Sequence, residues 1–313
     1  MLLCVGLSPT VQRTLFFDSF SVGSVNRARQ TRLTASGKGV NVARVATTMG
    51  APVLLVQTMG GETGRWVAAQ LEREGIEHQT VWADDDAPTR TCTTLLTENG
   101  PTTELVEEAA RIEPHDVSLL FAACENGLLN ARAVCLSGSL PSGVPADFYA
   151  QICQRARALS VPVVVDAQKA PLAQALAERP FLVKPNREEA AATLGFTLTG
   201  DAYTDAQTAV RNLIEAGAQW ALVSLGADGA LLGDGQQWWR VTPPQVAAVN
   251  PIGSGDSLAA GFLVGHFARG LSVPEAVRFG TACAAANCLS PTSGVVSPAD
   301  VERLLPQVGL EVV

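Results

Sequence analysis

Positive charge is scarce in this 313-residue chain: 22 lysines and arginines stand against 30 acidic residues, for a formal net charge of −8, and the basic residues form no cluster. Such a surface does not suit a nucleic-acid backbone, so any anionic ligand must be captured locally. The seven cysteines (Cys4, Cys92, Cys124, Cys135, Cys153, Cys283 and Cys288) include no Cys-x-x-Cys pair, which removes the usual zinc and dithiol spacings and fits a reducing cytoplasm. The three histidines, His78, His115 and His266, share no metal-ligand spacing. The opening Met-Leu-Leu-Cys-Val-Gly has no basic region and turns polar by Ser8, so neither a signal peptide nor a membrane span is expected. There is no internal repeat, no low-complexity tract and no Gly-Lys-Ser/Thr after a glycine and four residues, which excludes a P-loop. The first apolar run leads into Ser8-Pro9-Thr10 rather than Gly-x-Gly-x-x-Gly, which argues against a dinucleotide-binding oxidoreductase.

What remains can fill a large core, with 47% hydrophobic and 17% charged residues. Short β-branched runs alternate with helical patterns to about residue 300, as parallel strands joined by crossover helices do. Examples are Ala133 to Ser137, Val161 to Asp166, Phe181 to Val183 and Ala221 to Ser224, each ending at a polar turn. In such sheets ligands gather beyond the carboxyl ends of the strands, so these turns should share one crevice. Pro145 and Asp147 open a helix whose Phe148, Ile152, Ala156 and Leu159 make one apolar face. Two segments, about 11–34 and 88–107, break the alternation and read as hairpins outside the main sheet. Their place suggests a lid that excludes water from a reaction, or an edge insertion. Exposed hairpin edges could also pair between two subunits.

The run Asn250-Pro-Ile-Gly-Ser-Gly-Asp256 carries the most chemistry. Gly253, Ser254 and Gly255 let backbone N–H groups converge at the start of an apolar helix, where an anion is favoured. Asp256 lies in the same first turn, so one segment offers an oxyanion cradle and a carboxylate that can take a proton, the pairing a kinase of an alcohol needs. An aspartate there can also merely stabilise the helix dipole. A second glycine-rich helix start holds Gly37, Lys38 and Asn41, suited to a phosphate and to sugar hydroxyls. Asn186 and Glu189 have the spacing of a capping box. Ser224 to Gly229 is a strand followed by a turn that could lie against phosphates or simply form a hairpin.

In order, Ser8-Pro9, Gly23 to Ala28, Gly37 to Ala43, Ser137 to Pro141, Lys184 to Glu189, Ser224 to Gly226 and Asn250 to Asp256 give the chain a nearly full-length resemblance. It resembles the ribokinase-like (phosphofructokinase-B) carbohydrate kinases, in the branch of 1-phosphofructokinase and tagatose-6-phosphate kinase. The resemblance implies one α/β domain over 1–313, a three-layer αβα core with a mainly parallel sheet and a small β-sheet lid. It implies ATP as donor, Mg2+ as counter-ion, Asp256 as base, and Gly253 to Gly255 as anion hole. Asn186 and Glu189 would organise Mg2+ through water. Lys184, Asn186, Ser224, Gly226, Gly229 and the region of Asn287 would line the nucleotide. Gln12, Arg27, Gly37, Lys38, Asn41, Arg90 and Ser139 would hold the sugar phosphate.

Two departures bear on the sugar. Where this branch has Asn-Pro-x-x-Asp, the chain reads Ser8-Pro-Thr-Val-Gln12, an amide in place of a carboxylate, and Gly-Gly-Lys-Gly becomes Ser36-Gly-Lys-Gly. The expected activity is phosphorylation of a primary hydroxyl of a phosphorylated ketohexose. Fructose 1-phosphate comes first, then fructose 6-phosphate or tagatose 6-phosphate. A kinase of an unphosphorylated sugar and a catalytically silent sugar-phosphate binder are the rivals.

Overall fold

The computed structural model describes residues 1–97, 100 and 102–313. Its elements run β1 (Leu2–Val5), β2 (Thr10–Phe17), β3 (Gln30–Ser36), α1 (Lys38–Thr48), β4 (Val53–Met59), α2 (Gly61–Arg73), β5 (His78–Trp82), β6 (Thr91–Thr97) and β7 (Thr103–Val106). There follow α3 (Pro114–Leu128), β8 (Ala133–Ser137), α4 (Phe148–Ala158), β9 (Val163–Asp166), α5 (Lys169–Leu176), β10 (Leu182–Val183), α6 (Arg187–Leu194), α7 (Ala202–Glu215) and β11 (Trp220–Ser224). The chain closes with β12 (Ala230–Gly233), β13 (Trp238–Thr242), α8 (Ser254–Leu263), α9 (Val273–Cys288), α10 (Pro298–Leu304) and β14 (Gly309–Val312).

Among the described residues the strands form a ten-stranded sheet, ordered β14-β13-β12-β11-β10-β9-β8-β1-β4-β5, and a four-stranded sheet, β3-β2-β6-β7. From β11 to β5 the large sheet is parallel, and β12, β13 and β14 extend it antiparallel. Side chains alternate between two cores. Leu2, Cys4 and Leu55 pack with α1, α2, α8, α9 and α10 on one face, and Leu3, Val5 and Val134 pack with α3 to α7 on the other. Burial on both faces explains why these strands read as unbroken apolar runs rather than alternating ones. In α4, Phe148, Ile152 and Ala156 face the core as expected, but Leu159 falls on the C-cap and is exposed.

The expected hairpins are present: β2 pairs antiparallel with β3, β6 pairs antiparallel with β7, and β2 joins β6 in parallel. The turn of the second hairpin at 98, 99 and 101 lies outside the described residues. Chain order moves from β1 to β4 in one direction and returns through β8 in the other. The strand order therefore reverses beside β1, where open α/β sheets leave a crevice.

A close crossing sets α1 against β1 at that point. A Cβ added at Gly39 would lie 2.7 Å from the Gly6 Cα, so only two glycines let the first turn of α1 rest on the end of β1. Gly39→Ala is therefore expected to lower the free energy of unfolding by roughly 1–3 kcal/mol, the usual cost of forcing an extra carbon into a packed contact. Urea titration checks it, and an unchanged midpoint would show that α1 can lift off without loss.

Candidate active site

A cleft of about 910 Å³ opens at the carboxyl ends of β8, β9, β10 and β11 and is walled on its far side by the small sheet through Thr10, Gln12, Cys92 and Glu104. Its floor is the start of α8. Gly253 is the N-cap in the left-handed region (φ 82°), and a side chain there would strike the Gly294 backbone at 2.8 Å. The Ser254 N–H donates to the Pro251 carbonyl at 3.2 Å. Helix geometry leaves the Gly255 and Asp256 N–H groups with no carbonyl behind them, so these two amides form the cradle that the sequence placed at Gly253 to Gly255.

Asp256 sits beside them, 7% exposed, with Oδ2 accepting from the Asn41 amide at 2.7 Å. Its other oxygen is not held by that bond. Burial is the largest influence on this carboxyl and pushes its pKa up to about 6, helped by Asp166 and restrained by Lys38, Asn41 and Lys184. That value suits a base working near neutrality.

The charge of the cleft is organised by Asp166, the last residue of β9, which is fully buried. Its Oδ1 lies 3.2 Å from Lys38 Nζ at the start of α1, and its Oδ2 lies 3.1 Å from Lys184 Nζ just beyond β10. Burial alone would raise the Asp166 pKa, but the two ammonium groups overcome it and hold the carboxylate ionised. Burial would lower Lys38, yet Asp166, Glu189 and Asp256 outweigh it and keep the lysine charged. About a third of the Lys38 side chain faces the open cleft (36%), whereas Lys184 is buried (4%). A Cβ on Gly255 would come 3.4 Å from Lys184 Nζ, so this ammonium approaches the amide cradle.

Toward the small sheet, Gln12 is buried and its Nε2 donates to Thr94 Oγ1 at 2.7 Å, which commits its amide nitrogen and leaves the carbonyl as the group for a ligand hydroxyl. Arg90 donates to the carbonyls of Ser8 and Glu107, both at 3.1 Å, and its Nε is buried with no partner. Gly37 (φ 112°) caps α1, and Ser139 lines the same cleft. On the opposite side Asn186, Glu189, Ser224 and Gly226 line it too. Asn186 and Glu189 form the capping box of α6, with bonds of 2.7 and 2.9 Å. The Ser224 turn closes the β11–β12 hairpin through a 3-10 turn at Gly226–Asp228. A pocket of about 280 Å³ with a largely apolar lining continues from there between Pro243, Val246, Leu258, Ala285 and Cys288.

Three expected residues do not meet in the cleft. Arg27 is exposed on the segment between β2 and β3 and does not line it, because no strand of the small sheet holds residues 18–29. Asn287 is fully buried behind the pocket, where its amide donates to the Ile252 carbonyl and accepts from the Gly294 N–H. It buttresses the loops beneath the cradle instead of facing a ligand. Gly229 lines the apolar pocket rather than the cleft, and its φ of 96° is required because a Cβ would lie 2.0 Å from the Val241 carbonyl. The converse also occurs. Asp166 was legible as a crevice turn but not as a hub for two lysines; the signal was an acid closing a purely apolar strand. Ser36, singled out as a departure near the sugar, bonds Asn41 instead, and Arg44, which also bonds Asn41, was not picked out as a site residue.

The donor set fits Mg2+ only indirectly. Among the described residues no group of three or more acidic, histidine or cysteine side chains could hold an ion. In the capping box Glu189 uses Oε2, and its Oε1 is 3.6 Å from Lys38 Nζ. Asn186 and Glu189 would hold such an ion only through water, and it would supply positive charge to an anionic ligand.

A family model described as pfkB family carbohydrate kinase matches residues 1–300. Among solved structures, a Staphylococcus aureus protein provisionally described as a phosphofructokinase is 31% identical, with TM-score 0.79 over 100% of this chain and 99% of that one. Phosphofructokinase-2 from Escherichia coli, solved with substrates and products, is 27% identical with TM-score 0.87 over 98% of both chains. A possible 1-phosphofructokinase from Thermotoga maritima has TM-score 0.89 at 21% identity, over 100% of this chain and 99% of that one, a likeness of fold.

The raised Asp256 pKa has a consequence for stability. With a native value of about 6 against an unfolded carboxyl near 3.9, the native state binds the proton more tightly, so the residue costs stability as pH rises through 4 to 6. Asp256→Asn lacks this dependence. Its stability relative to the parent should grow by about 2 kcal/mol between pH 4 and pH 7 and then level off. Denaturant titrations at these two pH values check it, and a pH-independent difference would contradict the assigned shift.

Proposed function

The chain belongs to the pfkB family of carbohydrate kinases, an ATP-dependent sugar kinase of the phosphofructokinase type, and from that premise we propose that it phosphorylates a primary hydroxyl of a phosphorylated ketohexose, fructose 1-phosphate first. The observation that carries the reading is the convergence of Asp256, the Gly255 and Asp256 amides and the half-open Lys38 ammonium in one cleft. A neutral sugar would not need the cations at its acceptor end, whereas a phosphate on the substrate supplies the anion for Lys38 and Arg90.

In this mechanism the apolar pocket takes the base of ATP, and Ser224, Gly226 and Asn186 border its phosphates. The sugar lies against Gln12 and Ser139 with its phosphate toward Lys38 and Arg90. The small sheet closes over both as a lid, with Arg27 brought in only on closure, and excludes water. Asp256 takes the hydroxyl proton on the oxygen that Asn41 leaves free, and the γ-phosphoryl group moves in line while the two amides hold its charge. Mg2+, bridged by water to Glu189 beside the Asn186 cap, would supply charge neutralisation of the phosphates.

A second reading, fructose 6-phosphate as acceptor, draws on the 27% identity to the Escherichia coli enzyme, which was crystallised with that sugar phosphate. The two sugars offer the site the same features, a phosphate at one end and a primary hydroxyl at the other. A cytoplasmic setting accords with seven unpaired cysteines. Pairing of two lids into a homodimer accords with exposed Leu105 and Val106 on β7.

Two outcomes are expected. In an ADP-release assay over free and phosphorylated ketohexoses, the phosphorylated ones turn over and fructose 1-phosphate has the highest kcat/KM; a preference for a free sugar would overturn the proposal. Asp256→Asn should lose at least ~10²-fold in kcat, the usual contribution of a positioned base, with ATP affinity nearly unchanged by calorimetry.

A further inference from the structure

Arg44 stands on α1, 6% exposed, three residues beyond Asn41. An arginine inside the run Val40 to Ala46, otherwise almost wholly apolar, needs a full set of acceptors to be tolerated there. It has them. Nε and Nη2 reach Glu74 at 2.6 and 3.3 Å, Nη2 also donates to the Ala35 carbonyl at 2.6 Å, and Nη1 donates to Asn41 Oδ1 at 3.4 Å. Ser36 Oγ donates to the same Asn41 oxygen at 3.0 Å and lies 3.1 Å from Ser293 Oγ. The chain of contacts therefore runs Glu74, Arg44, Asn41, Asp256, from the end of α2 to the start of α8.

The Asn41 amide can sit in two orientations that differ by exchange of its oxygen and nitrogen. When Asp256 is ionised, both its neighbours favour the observed one, since a carboxylate only accepts and a guanidinium only donates. Asp256 takes its proton on the oxygen that Asn41 leaves free, but exchange with solvent can place a proton on Oδ2 instead; the acid can then donate toward α1, and a reversed Asn41 could accept that proton through its oxygen and trap the acid. Ser36 does not prevent the reversal, because a hydroxyl serves as donor or acceptor. Only Arg44 cannot change role.

We propose that Arg44 is a positioning residue for the phosphoryl transfer: by donating to Asn41 Oδ1 it keeps the Asn41 amide aimed at Asp256 through the protonated half of the catalytic cycle, so that the base is released in its starting geometry. The proton taken from the sugar hydroxyl then passes from Asp256 to solvent, and no other bond changes at this step. The proposal deepens the kinase reading and rests on it for its catalytic meaning. Its dependence on pH involves the other charged groups facing Asp256, which are Lys38 from α1, Asp166 from β9 and Lys184 after β10.

Arg44→Lys keeps the charge and can still pair with Glu74, but an ammonium does not reproduce the planar fork that reaches three acceptors in fixed directions. The Asp256 carboxyl is followed by 13C NMR titration, its resonance identified by its loss in Asp256→Asn. Its midpoint is expected to rise by about one unit in Arg44→Lys, because the bond from Asn41 that favours the ionised form is no longer enforced. The acid limb of kcat should move with it, giving about a tenfold deficit below pH 6 that shrinks toward pH 8, with KM for both substrates nearly constant. Arg44→Ala, if it folds, should regain this limb on addition of guanidinium ion. An unmoved midpoint in folded Arg44→Lys, or a loss equal at every pH, would overturn the proposal. Absence of turnover in the parent protein would refute the kinase reading instead, and the titration would still decide the role of Arg44.

Discussion

The two ion pairs of Asp166 are the constraint on which the rest of the cleft depends. A fully buried carboxylate is tolerable only when partners replace the water it has lost, and here one ammonium faces each oxygen. Those ammoniums come from different parts of the chain, Lys38 from the start of α1 and Lys184 from the end of β10. The same two ion pairs that neutralise Asp166 thus fix the start of α1 against the end of β10. One of the lysines stays partly open to the cleft and can share its charge with an incoming phosphate without leaving the acid unpaired, because Lys184 remains.

The same arrangement sets the character of Asp256. Burial is the larger push that raises its pKa, and the neighbouring Asp166 carboxylate adds to it. Lys38, Lys184 and the Asn41 amide hold it at about 6, high enough to accept a proton and low enough to be ionised at pH 7. Two close backbone approaches make this balance geometrically available. Gly39 on Gly6 seats the first turn of α1, and Gly253 on Gly294 seats the first turn of α8, so that two helix N-termini converge on one point with Asn41 and Asp256 between them.

Much of this was legible along the chain. Strands buried on both faces announce themselves as apolar runs, and the carboxyl-end rule then assembles Ser139, Asp166, Lys184, Asn186 and Ser224 around one crevice without any coordinates. The two hairpins were legible because their polar alternation broke the pattern. Contacts between helices were not. Arg44 lies on the buried side of α1, and a sequence gives no sign that its partners are Glu74 and Ala35 rather than solvent. Asn287 shows the complementary case: an asparagine near the end of α9 can face a pocket or tie down a loop, and which it does depends on where Ile252 and Gly294 arrive from elsewhere in the chain. Arg27 lies beyond the reach of the strand pattern altogether, on a connection whose position the small sheet does not fix.

Capping and chemistry, which compete as explanations for any acidic residue in a first helical turn, separate cleanly at the two helix starts of this cleft. At α6 the capping box is complete: Asn186 Oδ1 receives the Glu189 N–H and Glu189 Oε2 receives the Asn186 N–H, so capping accounts for one oxygen of each side chain and leaves the Asn186 amide nitrogen and the other glutamate oxygen over. At α8 the cap is a glycine with no side chain to offer, and Asp256 directs Oδ2 to Asn41, 215 residues away, instead of to the backbone beside it. A carboxylate that serves only the dipole gains most at the surface and has no reason to be buried against the cost of desolvation. Asp256 instead lies buried, with Oδ2 turned to Asn41 at the mouth of two amides that have no carbonyl behind them, a placement that helix capping alone does not account for.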